Sequence, residues 1–82
     1  MTVLETLKKA RARFTLTNQR GAGLILALTN DIVVWADTIQ AIKAHLPPDF
    51  NSLNSFLYHS ATTDSDIVNL LDRAIKAEEE KK

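Results

Sequence analysis

Seven side chains in this chain are of a type and spacing that could do chemistry: Lys8, Lys9, Arg11, Arg13 and Arg20 near one end, and the Tyr58-His59 pair further on. Five cations within thirteen residues could lie along phosphates, where each contact would release counterions and make binding steeply salt-dependent. The same cations could steer an acidic protein partner. Tyr is a favoured anchor in protein interfaces. The structural alternative is plain: a solvated helix face, and an aromatic that belongs to the core.

Other chemistries find less support. His45 and His59 are the only histidines, and there is no cysteine. A zinc site needs three or four ligands, so carboxylates such as Asp64 and Asp66 would have to complete it. Those two lie two apart, and residues two apart on a helix point in different directions. Ser, His and Asp all occur, but no nucleophile lies in a Gly-flanked turn between strand and helix. Gly21-Ala-Gly23 is the nearest thing to a phosphate loop. It lacks the third glycine, the preceding strand and the Walker lysine, and reads better as a close helix-packing site. No cofactor, metal or catalytic residue is therefore assigned, and the chain is read as a non-enzyme.

Charge is uneven. The net charge is zero, yet residues 1–20 hold five bases against Glu5, a net +4. Residues 21–66 hold Asp31, Asp37, Asp49, Asp64 and Asp66 against Lys43, a net −4. A neutral total argues against nucleic acid as the main partner. The longest apolar run, Gly21–Leu28, is far short of the roughly 20 residues that cross a bilayer. No charged start, apolar stretch and cleavage site succeed one another at the N-terminus, so no signal peptide is expected. A cytoplasmic protein without a membrane partner is the expectation.

The elements that must position these groups are helical. Thr2 with Glu5 reads as a capping box, and Val3, Leu7, Ala10 and Phe14 recur at helical spacing. Phe14 to Asn18 is ambiguous, so the first helix is drawn over 3–13, with the basic set on the face away from Leu7, Ala10 and Phe14. A second helix is expected over 18–29. Ile32, Trp35, Ile39, Ile42 and Leu46 recur at helical spacing, predicting a third over 31–46. Its rival is a short strand at 32–36, with Asp37 capping a shorter helix after it. Pro47-Pro48 stops the third helix, because proline lacks the N–H and clashes with the preceding turn. Asn51 or Ser52 can cap a short helix over 52–58. Thr62 or Thr63 can cap a last one over 63–78, with Asp64 and Asp66 in its first turn, where carboxylates suit the dipole. Residues 79–82 read as a frayed tail.

The expected fold is thus all-α, a single domain of four to five helices over residues 1–82. Its core is expected from Leu7, Phe14, Leu24, Leu28, Trp35, Ile39, Ile42, Leu46, Phe56, Ile67, Leu70, Leu71 and Ala74. A chain of this length buries only about 60% of its unfolded surface, so that core is thin.

The stretch Leu53–Lys76 resembles the ending of a family of small helical proteins of unassigned role found in bacteriophages and bacteria. That ending runs as an aromatic segment, a turn, a Thr, then Asp-Val, Leu and Arg-Ala-Ile. Thr63, Asp66-Ile67, Leu70 and Arg73-Ala74-Ile75 match it. Gly21–Leu28 is similar to the family's middle helix. Leu57-Tyr58-His59 stands where the family has Trp-Asn-Asp, and the N-terminal part is shorter. The resemblance implies a helical domain and transfers no catalytic residue. With the charge pattern it suggests a phage or mobile-element protein acting in the host cytoplasm, one that docks on a host protein or complex through Lys8, Lys9, Arg11, Arg13, Arg20, Tyr58 and His59. Two alternatives stand beside this. One is a nucleic-acid-binding regulator using helix 1. The other is a helical homo-oligomer, such as a homodimer, pairing the Val3–Phe14 stripe with its copy.

Overall fold

Helix-forming patterns become helices throughout the described part of the chain. The computed structural model describes residues 2–17 and 35–81. Four helices lie there: α1 (Val3–Thr17), α2 (Trp35–Lys43), α3 (Leu53–Leu57) and α4 (Asp64–Glu80). No strand occurs among the described residues, so the protein is all-α. The expected helix over 18–29, the phosphate-loop candidate Gly21–Gly23 and residues 31–34 lie outside the described residues.

Three of the four described helix starts have a local cause in a capping side chain. At α1 the Glu5 N–H donates to Thr2 Oγ1 at 3.1 Å, and the Thr2 hydroxyl meets Glu5 Oε1 at 3.1 Å. Ser52, in extended backbone, accepts from the Ser55 N–H at 3.2 Å and starts α3. Thr63 is the cap of α4, within a reciprocal box. Asp66 N–H donates to Thr63 Oγ1 at 3.2 Å, and Thr63 N–H donates to Asp66 Oδ2 at 3.0 Å. Two donors that a helix start leaves orphaned are thereby satisfied.

Three boundaries differ from the sequence reading. α1 runs four residues past 13, to Thr17. Phe14 is pulled into the core at 1% exposure, and the Thr15 hydroxyl donates back to the Arg11 carbonyl at 2.9 Å, which quiets a β-branched residue inside a helix. α2 ends at Lys43, not Leu46. Pro47 has no N–H to offer the Lys43 carbonyl, and the residue before a proline avoids the helical region. The chain tightens instead: His45 N–H bonds Ile42 O at 3.1 Å and Leu46 N–H bonds Lys43 O at 3.1 Å. α4 continues through Glu80, and Lys81 caps it while pairing with Glu78 at 3.0 Å, so the tail expected from 79 begins later.

α1 and α4 form the main seam. Arg11 meets Asp72 at its middle. Phe14 and Thr15 line a cleft with Asp64 and Ser65 at one end, and Val3 lines one with Glu78 at the other. Positions rising along α1 meet positions falling along α4, so the two are antiparallel. α2 packs on both, and α3 packs on α2. Leu4, Leu7, Ala10, Phe14, Ile42, Leu53, Phe56, Leu57, Ile67, Leu70, Leu71, Ala74 and Ile75 make one buried cluster. Of the expected core, Ile39 and Leu46 only pack against its edge. Leu24, Leu28 and the Trp35 side chain lie outside the described residues.

Leu70→Ala should lower unfolding free energy by about 2–5 kcal/mol, the usual cost of emptying such a site. Thr63→Ala should cost about 1 kcal/mol, the usual loss for a cap. Urea unfolding followed by circular dichroism measures both. Equal losses would mean that the α1–α4 seam is not the core.

Candidate functional site

The basic residues of α1 spread around the side away from Leu7, Ala10 and Phe14, toward both edges of that stripe. On a helix of 3.6 residues per turn, Lys8 and Arg11 are neighbours, as are Lys9 and Arg13. The two pairs border opposite edges of the stripe that Leu7, Ala10 and Phe14 bury. The width of that stripe is the reason. Thr6 at 0% exposure and Leu4 at 7% are both inside, so α1 is covered over nearly half its circumference.

The first flank is tied to the fold. The Arg11 guanidinium grips the Asp72 carboxylate with two donors, Nε to Oδ1 and Nη2 to Oδ2, the latter at 3.5 Å. The two side chains are 41% and 48% exposed, so the pair is solvent-screened and contributes between about 0 and 1 kcal/mol. Its use is register: a planar fork on a carboxylate fixes how α1 sits along α4. Arg11 is thus taken up within the chain, and Lys8 remains exposed beside it.

The second flank carries a surface feature. Lys9, Ala12, Arg13 and Leu16 line a shallow depression of about 270 Å3. Leu16 is 85% exposed, and Tyr58 is the other large exposed hydrophobic at 66% among the described residues. Spacing 9, 12, 13, 16 is one helical face. Sequence reasoning misses Leu16 because it ends the helix at 13, and a residue beyond a helix has no face. Arg20 lies outside the described residues.

Tyr58 and His59 belong to another region. Tyr58 is the C-cap of α3, its N–H bonding Asn54 O at 3.0 Å. His59 is exposed, and its Nδ1 accepts the Ala61 N–H at 3.1 Å. Its ring meets Phe50 edge-on, with centroids 5.3 Å apart, and Phe50 meets Phe56 likewise at 5.2 Å. His59 lines a depression with Pro47, Phe50, Phe56, Thr62, Asp66 and Arg73. Among the described residues, Lys9 and Arg13 thus line one depression and His59 another.

Among the described residues no three of His, Cys, Asp or Glu come together as ligands for a metal ion. None of the described helices is long and apolar enough to cross a membrane. In comparison with family models, curated proteins and solved structures, nothing matches this chain.

A double-mutant cycle on Arg11→Ala and Asp72→Ala should give a coupling below about 1 kcal/mol that shrinks further in roughly 1 M salt. A coupling of several kcal/mol, insensitive to salt, would contradict a screened register contact.

Proposed function

We propose that the protein is a non-enzymatic protein-binding module, phage- or mobile-element-encoded, that docks on a host protein to regulate or inhibit it. One observation carries the reading: Leu16 stands 85% exposed between Lys9 and Arg13. A lone exposed leucine is ordinary on a protein surface. This one shares a depression with Ala12 and with the aliphatic stems of two cations, which can cover apolar surface while keeping their charge in water. Covering such a leucine is worth about 1.5–3 kcal/mol. The flanking cations favour an acidic rim on the partner and would speed encounter more than they tighten the complex. The expected occupant is therefore an apolar pocket or ridge edged by Asp and Glu.

The resemblance of Leu53–Lys76 to small phage and bacterial proteins supports the biological setting of this reading. The pairing of Arg11 with Asp72 argues against the nucleic-acid alternative, because it takes one cation of α1 away from phosphate contact. The Val3–Phe14 stripe offered for self-pairing is buried inside the chain's own core, so a homo-oligomer would need a different surface.

The test compares variants in capture from a bacterial host lysate. Leu16→Asp, and Lys9→Glu with Arg13→Glu, should each lose the captured protein while keeping the helical circular dichroism spectrum. Lys8→Glu, on the other flank, should keep it. Loss with Lys8→Glu as well, or retention with Leu16→Asp, would overturn the assignment. Titration with duplex DNA at low and at about 0.2 M salt supplies the remaining arm, since tight DNA binding that collapses over this range would favour the nucleic-acid reading instead.

A further inference from the structure

α4 has two usable edges, and α1 occupies one. Val68 packs at the core edge and Asp72 takes Arg11, both on the α1 side. Asp66 and Arg73 are seven residues apart, two turns, so they stand one above the other on the opposite edge. There they line a depression of about 280 Å3 with Pro47, Phe50, Phe56 and His59. A cavity of about 150 Å3 is enough to hold benzene, so this volume has room for one aromatic ring and a short tail.

The walls define what would fit. Phe50 stands perpendicular to both Phe56 and His59, at 90° and 87°, and is the less buried of the two phenylalanines lining the depression, Phe56 being 5% exposed. His59 Nδ1 accepts the Ala61 N–H. In the neutral ring this assigns the proton to Nε2, which is left as a donor. Arg73 has no hydrogen-bond or ion-pair partner among the described residues. The nearby carboxylate does not claim it: Asp66 is engaged at the helix start, where its Oδ2 accepts the Thr63 N–H and the positive end of α4 offsets its charge. The depression thus combines a ring-lined wall, the His59 Nε2–H donor and one guanidinium fork suited to two parallel bonds with a carboxylate.

We infer that this corner is a binding site for a small aromatic carboxylate, the ring against Phe50 and the carboxylate on Arg73 and His59 Nε2–H. The site goes beyond the docking surface proposed above and shares no residue with it.

The probe is 3-phenylpropionate, titrated into the full 82-residue chain and followed by proton–nitrogen correlation spectra. Saturable shifts are expected at Phe50, His59 and Arg73, with a Kd of about 1 mM or tighter, as suits a fragment of this size. Arg73→Ala should weaken binding about tenfold or more, and the uncharged 3-phenylpropanamide should bind the native chain about as weakly, since each loses a charge-assisted bond. Arg73 is exposed, so its substitution should leave the fold intact, as the unchanged remainder of the spectrum would verify. Leu16→Asp should bind the probe normally, which separates this site from the docking surface. No saturable shift at these residues up to about 10 mM, or equal affinity in Arg73→Ala, would overturn the assignment.

Discussion

The antiparallel seating of α1 on α4 is the constraint on which the remaining structure rests. Leu7, Ala10 and Phe14 on one helix and Ile67, Leu70, Leu71 and Ala74 on the other are all at or below 1% exposure. Short helices are marginal in water by themselves, so their persistence depends on burying an apolar face. Each methylene removed from water is worth about 0.8 kcal/mol. Among the described residues of this 9.1 kDa chain no second core exists to compensate a loss in this one. α2 closes the third side with Ile42 at 0% exposure, and α3 completes the cluster with Leu53, Phe56 and Leu57.

Polar groups in this interior serve the fold. Thr6, Thr38 and Thr62 are buried, and among the described residues no buried side-chain polar atom lacks a partner. Thr6 returns its hydroxyl to the Thr2 carbonyl at 2.9 Å, inside its own helix. Such local bonds allow a threonine to occupy an apolar seam at little cost, since what is expensive is a buried group left unpaired. Groups exposed to solvent beside the core stand at the helix flanks: Leu16 on α1, and Arg73 on α4 beside the Phe50 and His59 rings. Flanks are what such a helical arrangement leaves uncovered, because each helix buries one wide stripe and keeps the edges of that stripe half in water.

Much of the architecture is legible along the chain. The all-α class, the cap at Thr2, the narrowing of two further caps to Asn51 or Ser52 and to Thr62 or Thr63, and the buried face of α4 all come from patterns spanning four to eight residues. Such patterns are legible because helical hydrogen bonds and caps join residues three or four apart. The errors lie where a local rule meets a contact from elsewhere. The sequence reading ends α1 short because Phe14-Thr15-Leu16-Thr17 has mixed propensity, and burial of Phe14 in the tertiary core overrides it. It stops α2 late because it counts the influence of Pro47 from the proline's own position, whereas the missing N–H is felt at the carbonyl of Lys43.

By itself, then, the order of residues determined the helical class, where most helices begin, and which stripe of each is apolar. Folding in three dimensions decided the rest: that Arg11 would be spent on Asp72, 61 positions away, that Phe14 would carry α1 on past residue 13, and that Pro47, Phe50, His59 and Arg73 would line one depression. Periodicity says which way a side chain faces around its own axis. It carries no information on which distant helix will stand opposite, because that choice is made by the joint packing of all the apolar stripes at once.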